Sequence, residues 1–375
     1  MYKILVSGMA YDGGKSGISV YMNNVIAALS SQHKLTLVML KKDIAVFPVR
    51  HHNLSFIAVS DYLGKPLINM LWHLLIFPLL MRRDRYDFAY LPAANRRACL
   101  WYRIFTIGTV HDLSQYHIEA KYDWLRMMYI KRVLPYCVRR MQQIIAVSNS
   151  TKNDLIEYWH SASEKITVCY NGYDRKRFTA DDQAAKSAPL PYGLRHQGYI
   201  LYISRIEHPG KNHLNLIKAY EMLPEVIRCR YDLALAGSFW PGSEPVKQYA
   251  EASLAAGTIK FTGFIDNAAL PSLYHQAALY VFPSLFEGFG LSLVEAMACG
   301  TPICCSNNSS LGEVGGAAAL QFSPENVTEI YQSLKIALTD ESLRRDMVKT
   351  GFEQLSRFDW NEHAEKIIVL YEQKN

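Results

Sequence analysis

Two glutamates, Glu287 and Glu295, stand eight positions apart in the stretch Phe282-Pro-Ser-Leu-Phe-Glu-Gly-Phe-Gly-Leu-Ser-Leu-Val-Glu-Ala-Met-Ala-Cys-Gly-Thr301. The apolar run from Ala278 to Phe282 reads as a buried strand that Pro283 ends. Gly288 and Gly290 then bend the chain around Phe289, and Leu291 to Cys299 resumes with helical spacing. Strand, glycine loop and helix together aim unpaired backbone N–H groups and a positive helix end at an anion. A phosphate-bearing ligand held there lies between a loop carboxylate and a carboxylate on the second helical turn. Solvated loop and helix charges are the plainer account of either glutamate alone. For the whole segment that account leaves the two glycines and the aromatic without a purpose.

Cations of matching type occur upstream. In Ile203-Ser-Arg-Ile-Glu-His-Pro-Gly-Lys-Asn-His213, Arg205 and Lys211 flank a Pro-Gly turn between a strand and a helix. They are expected to converge on one anion, the guanidinium as a fork and the ammonium as a compact charge. His111 follows the apolar run Thr106–Val110 and precedes Asp112, so a strand-end imidazole could act on a sugar or a leaving group. A hydrogen-bonded loop histidine fits the same pair.

Near the start, Ser7-Gly8 leads to Asp12-Gly-Gly-Lys-Ser-Gly17. A P-loop needs a glycine at the position of Met9, and a dinucleotide fingerprint needs a different glycine spacing. What remains is a glycine-rich turn that lets backbone approach a ligand. No Asp-x-Asp and no paired His or Cys spacing suggests a divalent metal. Charge developing on a departing diphosphate would then fall to Arg205, Lys211 and the helix end at Gly290-Leu291.

These residues need rigid carriers. Short apolar runs (Lys3–Ser7, Leu35–Leu40, Leu54–Val59, Phe88–Leu91, Thr106–His111, Ile144–Ser148, Ile166–Tyr170) alternate with helical patterns such as Val20–Ser30, Trp124–Met141 and Ser150–Trp159. That alternation predicts a parallel sheet with helices on both faces. The polar stretch from Asp174 to Gln197, with Pro189 and Pro191, reads as a linker. The alternation restarts with Tyr199–Ile203, Asp232–Ala236, Ile259–Phe261, Leu279–Phe282 and Ile303–Ser306. Two open α/β domains joined by a linker place their ligand at the carboxyl ends of the strands.

The 375 residues, half of them apolar, suffice for two cores. Seven cysteines give neither a zinc pattern nor a disulfide framework, and the amino terminus lacks a signal-peptide layout, so a cytoplasmic protein is expected. Leu67 to Met81 is too short and too interrupted to span a bilayer, but it runs into Arg82-Arg-Asp-Arg85. Such a pair of segments could dock on an anionic membrane face; a core helix with a basic exit is the plainer reading. The net charge of +6 suits an anionic ligand or surface, and no basic patch interleaved with aromatics argues for nucleic acid.

Taken together these segments resemble glycosyltransferase family 4, the retaining GT-B enzymes that use nucleotide sugars, over nearly the whole chain. Glu287 to Glu295 resembles that family's E-x7-E motif, and Arg205 and Lys211 its diphosphate-binding pair. Thr109-Val-His-Asp-Leu113 is similar to its histidine segment, while Ala146-Val-Ser-Asn-Ser150, Tyr170-Asn-Gly-Tyr-Asp174, Asn308-Ser-Ser-Leu-Gly-Glu-Val314 and Phe358-Asp-Trp360 follow in the family's order. Ser292 stands where the family often has proline or threonine, and Lys15-Ser16-Gly17-Ile18 replaces a plain Gly-Gly-x-Gly run.

The resemblance implies an α/β GT-B fold, two Rossmann-like parallel-sheet domains facing each other across a cleft. An acceptor-side domain would span 1–185, a nucleotide-sugar domain 190–357, and a helix at 358–375 would cross back to the first. It implies that Glu287 meets the donor sugar near the reacting carbon and Glu295 holds the ribose. Phe289, Gly290 and Leu291 would offer backbone groups to the donor, and Gly17 would approach the diphosphate. Gly263-Phe264-Ile265 would border the base, and His111 would touch sugar or acceptor. The implied activity is metal-independent transfer, with retention, of a hexose (mannose or rhamnose favoured) from a nucleotide diphosphate sugar such as GDP-mannose. The acceptor would be a growing glycan or lipid-linked molecule of bacterial surface polysaccharide, lipopolysaccharide included. No cofactor is implied, and peripheral contact with the inner face of the membrane accompanies the lipid-linked option. A non-catalytic nucleotide-sugar-binding protein is the alternative, and after it a glycoside hydrolase using Glu287 and Glu295.

Overall fold

The computed structural model describes residues 1–118, 124–190 and 193–374, and the chain divides into two compact units. The first runs from Met1 to Gly172 and takes in the chain from Asp359 onward; the second is Tyr173–Phe358. The domain edge expected near 185–190 therefore falls inside the second unit. The stretch read as a linker belongs to it: Asp182 caps a short helix, Gln183–Ser187, and Gln276 Nε2 donates to the carbonyls of Ala185 and Ala188 at 3.0 and 2.9 Å. Pro191, part of that reading, lies outside the described residues.

The first unit holds β1 (Lys3–Ser7), β2 (Lys34–Leu40), β3 (Leu54–Val59), β4 (Phe88–Leu91), β5 (Phe105–Val110), β6 (Gln143–Ala146) and β7 (Ile166–Val168). They form one sheet in the order β3-β2-β1-β4-β5-β6-β7, every described pair parallel. β4 is buried throughout and β5 nearly so, as expected of parallel strands covered on both faces. The helix Gly17–Ser30 lays Ile18, Tyr21, Met22, Val25, Ile26 and Leu29 inward, the spacing of one helical face.

The final helix, Trp360–Glu372, packs against Gly17–Ser30 within this unit. Asp359 caps it by accepting from the N–H groups of Asn361 and Glu362. His363 Nε2 lies 2.6 Å from the buried Tyr21 hydroxyl, and Tyr371 stacks on Phe88 at 4.7 Å between centroids.

The second unit holds β8 (Tyr199–Ile203), β9 (Asp232–Ala236), β10 (Ile259–Gly263), β11 (Leu279–Phe282), β12 (Ile303–Ser306) and β13 (Ala319–Phe322). Their order is β10-β9-β8-β11-β12-β13, again parallel. In each sheet the strand order reverses once, between β1 and β4 and between β8 and β11. Loops leaving those two strands diverge and open a crevice, where ligands of such folds bind.

Two local departures from the sequence reading have physical causes. β13, Ala319-Leu-Gln-Phe322, escapes notice because a four-residue edge strand without a β-branched residue is too short a run to mark a strand. The single helix expected over Trp124–Met141 is broken into Trp124–Met128, a π-helical turn at Tyr129–Val133, and Leu134–Arg139. Pro135, without an N–H to donate, sits at that second restart.

The Leu67–Met81 segment forms the helices Pro66–Leu75 and Phe77–Leu80, with Asn69, His73, Leu74 and Phe77 buried on the inner face. Its outer face leaves Leu67, Leu71, Leu75, Ile76 and Leu79 exposed. The buried inner face fits the core-helix reading. Among the described residues no helix is long and apolar enough to cross a membrane.

Candidate active site

In the second unit the loops after β8 and β11 are zipped together at the point of strand reversal. Leu285 N–H donates to Gly210 O at 3.0 Å, and the Tyr202 hydroxyl donates to Lys211 O at 2.9 Å while lying 3.1 Å from Ser284 Oγ. Asn212 carries most of this join. It occupies the left-handed region at φ 58°, tolerable for asparagine, and caps the helix His213–Glu221 from there. Its buried amide donates to Pro283 O at 2.9 Å and to Pro324 O at 2.7 Å.

The result is an ion pair between Lys211 Nζ and Glu287 Oε1, each side chain 17% exposed. Glu287 is held from the other side too. Its N–H donates to Ser309 Oγ at 3.2 Å, and Ser310 Oγ donates to its carbonyl at 2.9 Å.

Arg205 departs from the convergence expected with Lys211. It forks onto Glu207, with Nε donating at 2.6 Å and a terminal nitrogen at 3.3 Å, and it lies over the Trp240 ring at 5.1 Å. Each cation thus has its own carboxylate. Glu207 was not singled out from sequence, although its place two residues after Arg205 is the available signal.

Gly290 starts the helix Leu291–Ala298 at φ 95°, ψ 58°, and no side chain caps it. A Cβ there would lie 2.8 Å from Leu311 Cδ2, so both conformation and space select glycine. The first-turn N–H groups are therefore presented without a side-chain acceptor, at the positive end of the helix. Phe289 is buried against Phe358, edge to face at 5.8 Å.

One turn into this helix, Glu295 accepts a 2.9 Å hydrogen bond from the buried Tyr274 hydroxyl. Burial raises the Glu295 carboxyl above its ordinary value, and the tyrosine donor and Arg177 pull it partly back. The two glutamates are thus tied to a lysine and a tyrosine respectively. At the last residue of β10, Gly263 turns at φ 68°; Phe264 then stands exposed and Ile265 buried.

In the first unit His111 ends buried beside β5, its Nε2 donating to Pro92 O at 2.7 Å. A carbonyl can only accept, so Nε2 carries the proton and Nδ1 is the acceptor. Burial lowers the imidazole to about 4, and the ring is neutral near pH 7.

Gly17 is an ordinary first residue of its helix; the left-handed turns are at Gly13 and Gly14, φ 76° and 88°. Asp12 shapes this loop, its Oδ1 accepting from Lys15 N–H at 3.0 Å, Ser16 N–H at 3.2 Å and Ser19 Oγ at 2.5 Å. Those N–H groups are spent inside the loop, consistent with the failed P-loop spacing. Among the described residues no group of three or more His, Cys, Asp or Glu side chains comes together as a metal site.

Comparison with known proteins matches residues 15–177 to the sequence model of glycosyltransferase family 4 and residues 194–354 to that of glycosyl transferases group 1. O-antigen chain mannosyltransferase B of Escherichia coli is 32% identical over 288 residues, covering 75% of this chain and 72% of that protein. The chain belongs to glycosyltransferase family 4.

Serotype-specific mannosyltransferase WbdA of Escherichia coli is 33% identical over 262 residues, but this glycosyltransferase spans only 32% of its length. The structure of Anabaena Alr3699/HepE, solved with UDP and glucose, superposes over the whole of both chains at TM-score 0.77 and 18% identity. A sucrose-phosphate synthase from Thermosynechococcus elongatus gives 0.79 at 20% identity. These likenesses establish the GT-B fold. Asn212, Tyr274, Ser309 and Ser310 hold the transferase's glutamates and lysine in place; Asn212, Ser309 and Ser310 lie in segments already noted from sequence, while Tyr274 has no motif by which sequence reasoning could find it.

Proposed function

We propose that this glycosyltransferase moves a mannosyl residue, or failing that a rhamnosyl one, from a nucleoside diphosphate sugar to an acceptor of bacterial surface polysaccharide, with retention and without a metal ion. The observation that carries the reading is the Lys211–Glu287 pair, set at the strand reversal of the second sheet where the uncapped Gly290–Leu291 helix start also arises. The bond from the sugar's anomeric carbon to the diphosphate breaks, and one to the acceptor oxygen forms on the same face. The acceptor's proton leaves with a diphosphate oxygen. Lys211, Arg205 and the helix N–H groups stabilise the charge gathering on that diphosphate. Glu287 orients the sugar hydroxyls, and Glu295, fixed by Tyr274, takes the ribose. Exposed Phe264 suits the face of the base. His111, neutral with Nδ1 as acceptor, receives a hydrogen bond from a hydroxyl instead of protonating a leaving group.

The names of the Escherichia coli relatives support mannose and O-antigen. Incubation with GDP-mannose, UDP-glucose and dTDP-rhamnose, with the product's anomeric configuration read by NMR, tests donor and stereochemistry together. Turnover of GDP-mannose with an α-linked product is expected; an inverted product, or loss of activity in EDTA, overturns the corresponding part.

We also read the exposed Leu67, Leu71, Leu75 and Leu79 stripe with Arg82, Arg83 and Arg85 as a peripheral contact with an anionic membrane face at the cytoplasmic side. Flotation with anionic vesicles, lost in Leu71→Asp/Leu75→Asp, is the expected outcome; flotation unchanged by that variant rules the stripe out.

A further inference from the structure

A polar cavity lies within the first unit, at the reversal between β1 and β4, with a volume of about 570 Å³. Lys15, Lys42, Arg96 and Arg97 line it, opposed by Asp12 and Asp43. Cations outnumber acids two to one. Asp12 is already engaged with the loop N–H groups and Ser19. Burial raises the Asp43 carboxyl above its ordinary value, and Lys42 pulls it partly back. Among the described residues none of the four cations forms an ion pair.

Arg97 is the telling member. Its Nε donates to Oδ1 of the buried Asn69, and a terminal nitrogen donates to Arg96 O at 2.9 Å. Asn69 is itself fixed by donating to Met9 O at 3.3 Å. A guanidinium held largely out of water on neutral acceptors keeps its charge uncompensated, which a purely structural arginine avoids by pairing with a carboxylate. Pre-organised in this way, it presents its remaining donors to an anion with little ordering left to do.

The surroundings narrow the ligand. The loop after β4 that carries Arg96 and Arg97 also carries Pro92, the hydrogen-bond partner of His111, and Asn95 donates to Asp112 O at 3.2 Å. Asn69 belongs to the helix whose outer face bears the exposed Leu67, Leu71 and Leu75. The loop that lends the cavity Arg96 and Arg97 is thus hydrogen-bonded to the His111-Asp112 segment, and the helix that lends it Asn69 carries the apolar stripe.

We propose that this cavity is an anion subsite for the acceptor and takes the phosphate or diphosphate of a lipid-linked saccharide. The proposal deepens the transferase reading and rests on it for the word acceptor. A lipid-linked acceptor of this kind is supplied by a reaction that joins a sugar phosphate to a lipid phosphate.

The test uses the full chain with a saturating nucleoside diphosphate to occupy the donor site, and farnesyl diphosphate as probe, followed by calorimetry. Binding is expected in the wild type and should weaken about tenfold or more in Arg97→Gln, because charge-assisted contacts to phosphate are lost. Arg96→Gln and Lys42→Gln, on more exposed side chains, serve if Arg97→Gln fails to fold, and should weaken it as well. Nucleotide affinity should not change in any of them.

In transfer assays a diphosphate-linked saccharide should outperform the same saccharide as a neutral alkyl glycoside, and Arg97→Gln should raise KM for the first only. Farnesyl diphosphate binding that is absent, or indifferent to all three substitutions, overturns the subsite. Loss of nucleotide affinity in these variants assigns the cavity to the donor and overturns it equally. Subsite binding without transfer from any donor would instead count against the transferase reading.

Discussion

Glu287→Gln should separate donor binding from turnover in a direction that simple loss of a binding residue would not produce. In the ligand-free protein Lys211 is committed to Glu287, and both side chains are 17% exposed. Two unit charges in contact at about 4 Å attract by about 4 kcal/mol at an effective dielectric of 20, before the desolvation and ordering terms that oppose the pair. The net worth of such a half-buried pair is on the order of 1–2 kcal/mol.

A diphosphate recruiting Lys211 must compete with that interaction and approach a carboxylate as well. Neutral glutamine at 287 relieves both, so GDP or UDP should bind roughly 3- to 30-fold more tightly, each 1.4 kcal/mol being a factor of ten. Transfer should nevertheless fall by about a hundredfold or more, because the contact with the sugar at the reacting carbon is lost. Lys211→Met should weaken nucleotide binding by about tenfold, and the double variant should resemble Lys211→Met, the advantage of Glu287→Gln having vanished. Calorimetry on the four proteins closes the cycle, and thermal shift supports it, since ligand at 100 times its dissociation constant adds about 2.7 kcal/mol. Tenfold weaker nucleotide binding in Glu287→Gln, or strictly additive effects in the double variant, would refute the competition.

Three further outcomes follow from the geometry. Gly290→Ala forces a non-glycine residue to φ 95° and a Cβ to 2.8 Å from Leu311, and should destabilise the chain by about 1–3 kcal/mol while weakening nucleotide binding; an unchanged melting temperature and affinity would contradict it. Asn212→Ala removes the donors to Pro283 O and Pro324 O, and should cost about 2–4 kcal/mol by denaturant titration and lower turnover by loosening Lys211 against Glu287. Stability should fall as pH drops from about 6.5 toward 4. Burial lowers His73 and His213 to about 3 and His111 and His363 to about 4, so the unfolded chain takes up protons that the folded one refuses. Each accounts for at most about 3 kcal/mol, lost within that window and fully present above it. A urea midpoint flat between pH 7 and 4.5 would contradict this.

Much of the architecture was legible in the chain because parallel strands buried on both faces must be apolar throughout, and runs such as Phe88–Leu91 and Tyr199–Ile203 stand out against amphipathic helices. Glu287, Glu295, Arg205, Lys211 and His111 were legible through residue type at strand ends. Their partners were not, since nothing local couples Asn212 to Pro324 or Tyr274 to Glu295.

The amino-acid sequence by itself determined the alternation of strand and helix, the glycine-bounded loops and the charged side chains available at them. All of these are matters of local sterics, spacing and residue type. Tertiary structure alone decided that Lys211 pairs with Glu287 while Arg205 turns to Glu207, that the final helix closes on Tyr21 of the first unit, and that four cations line one cavity with Arg97 held on neutral acceptors. The order of strands in a sheet brings together loops distant in sequence, and the burial of a charge and the identity of its counter-charge exist only once that order is made.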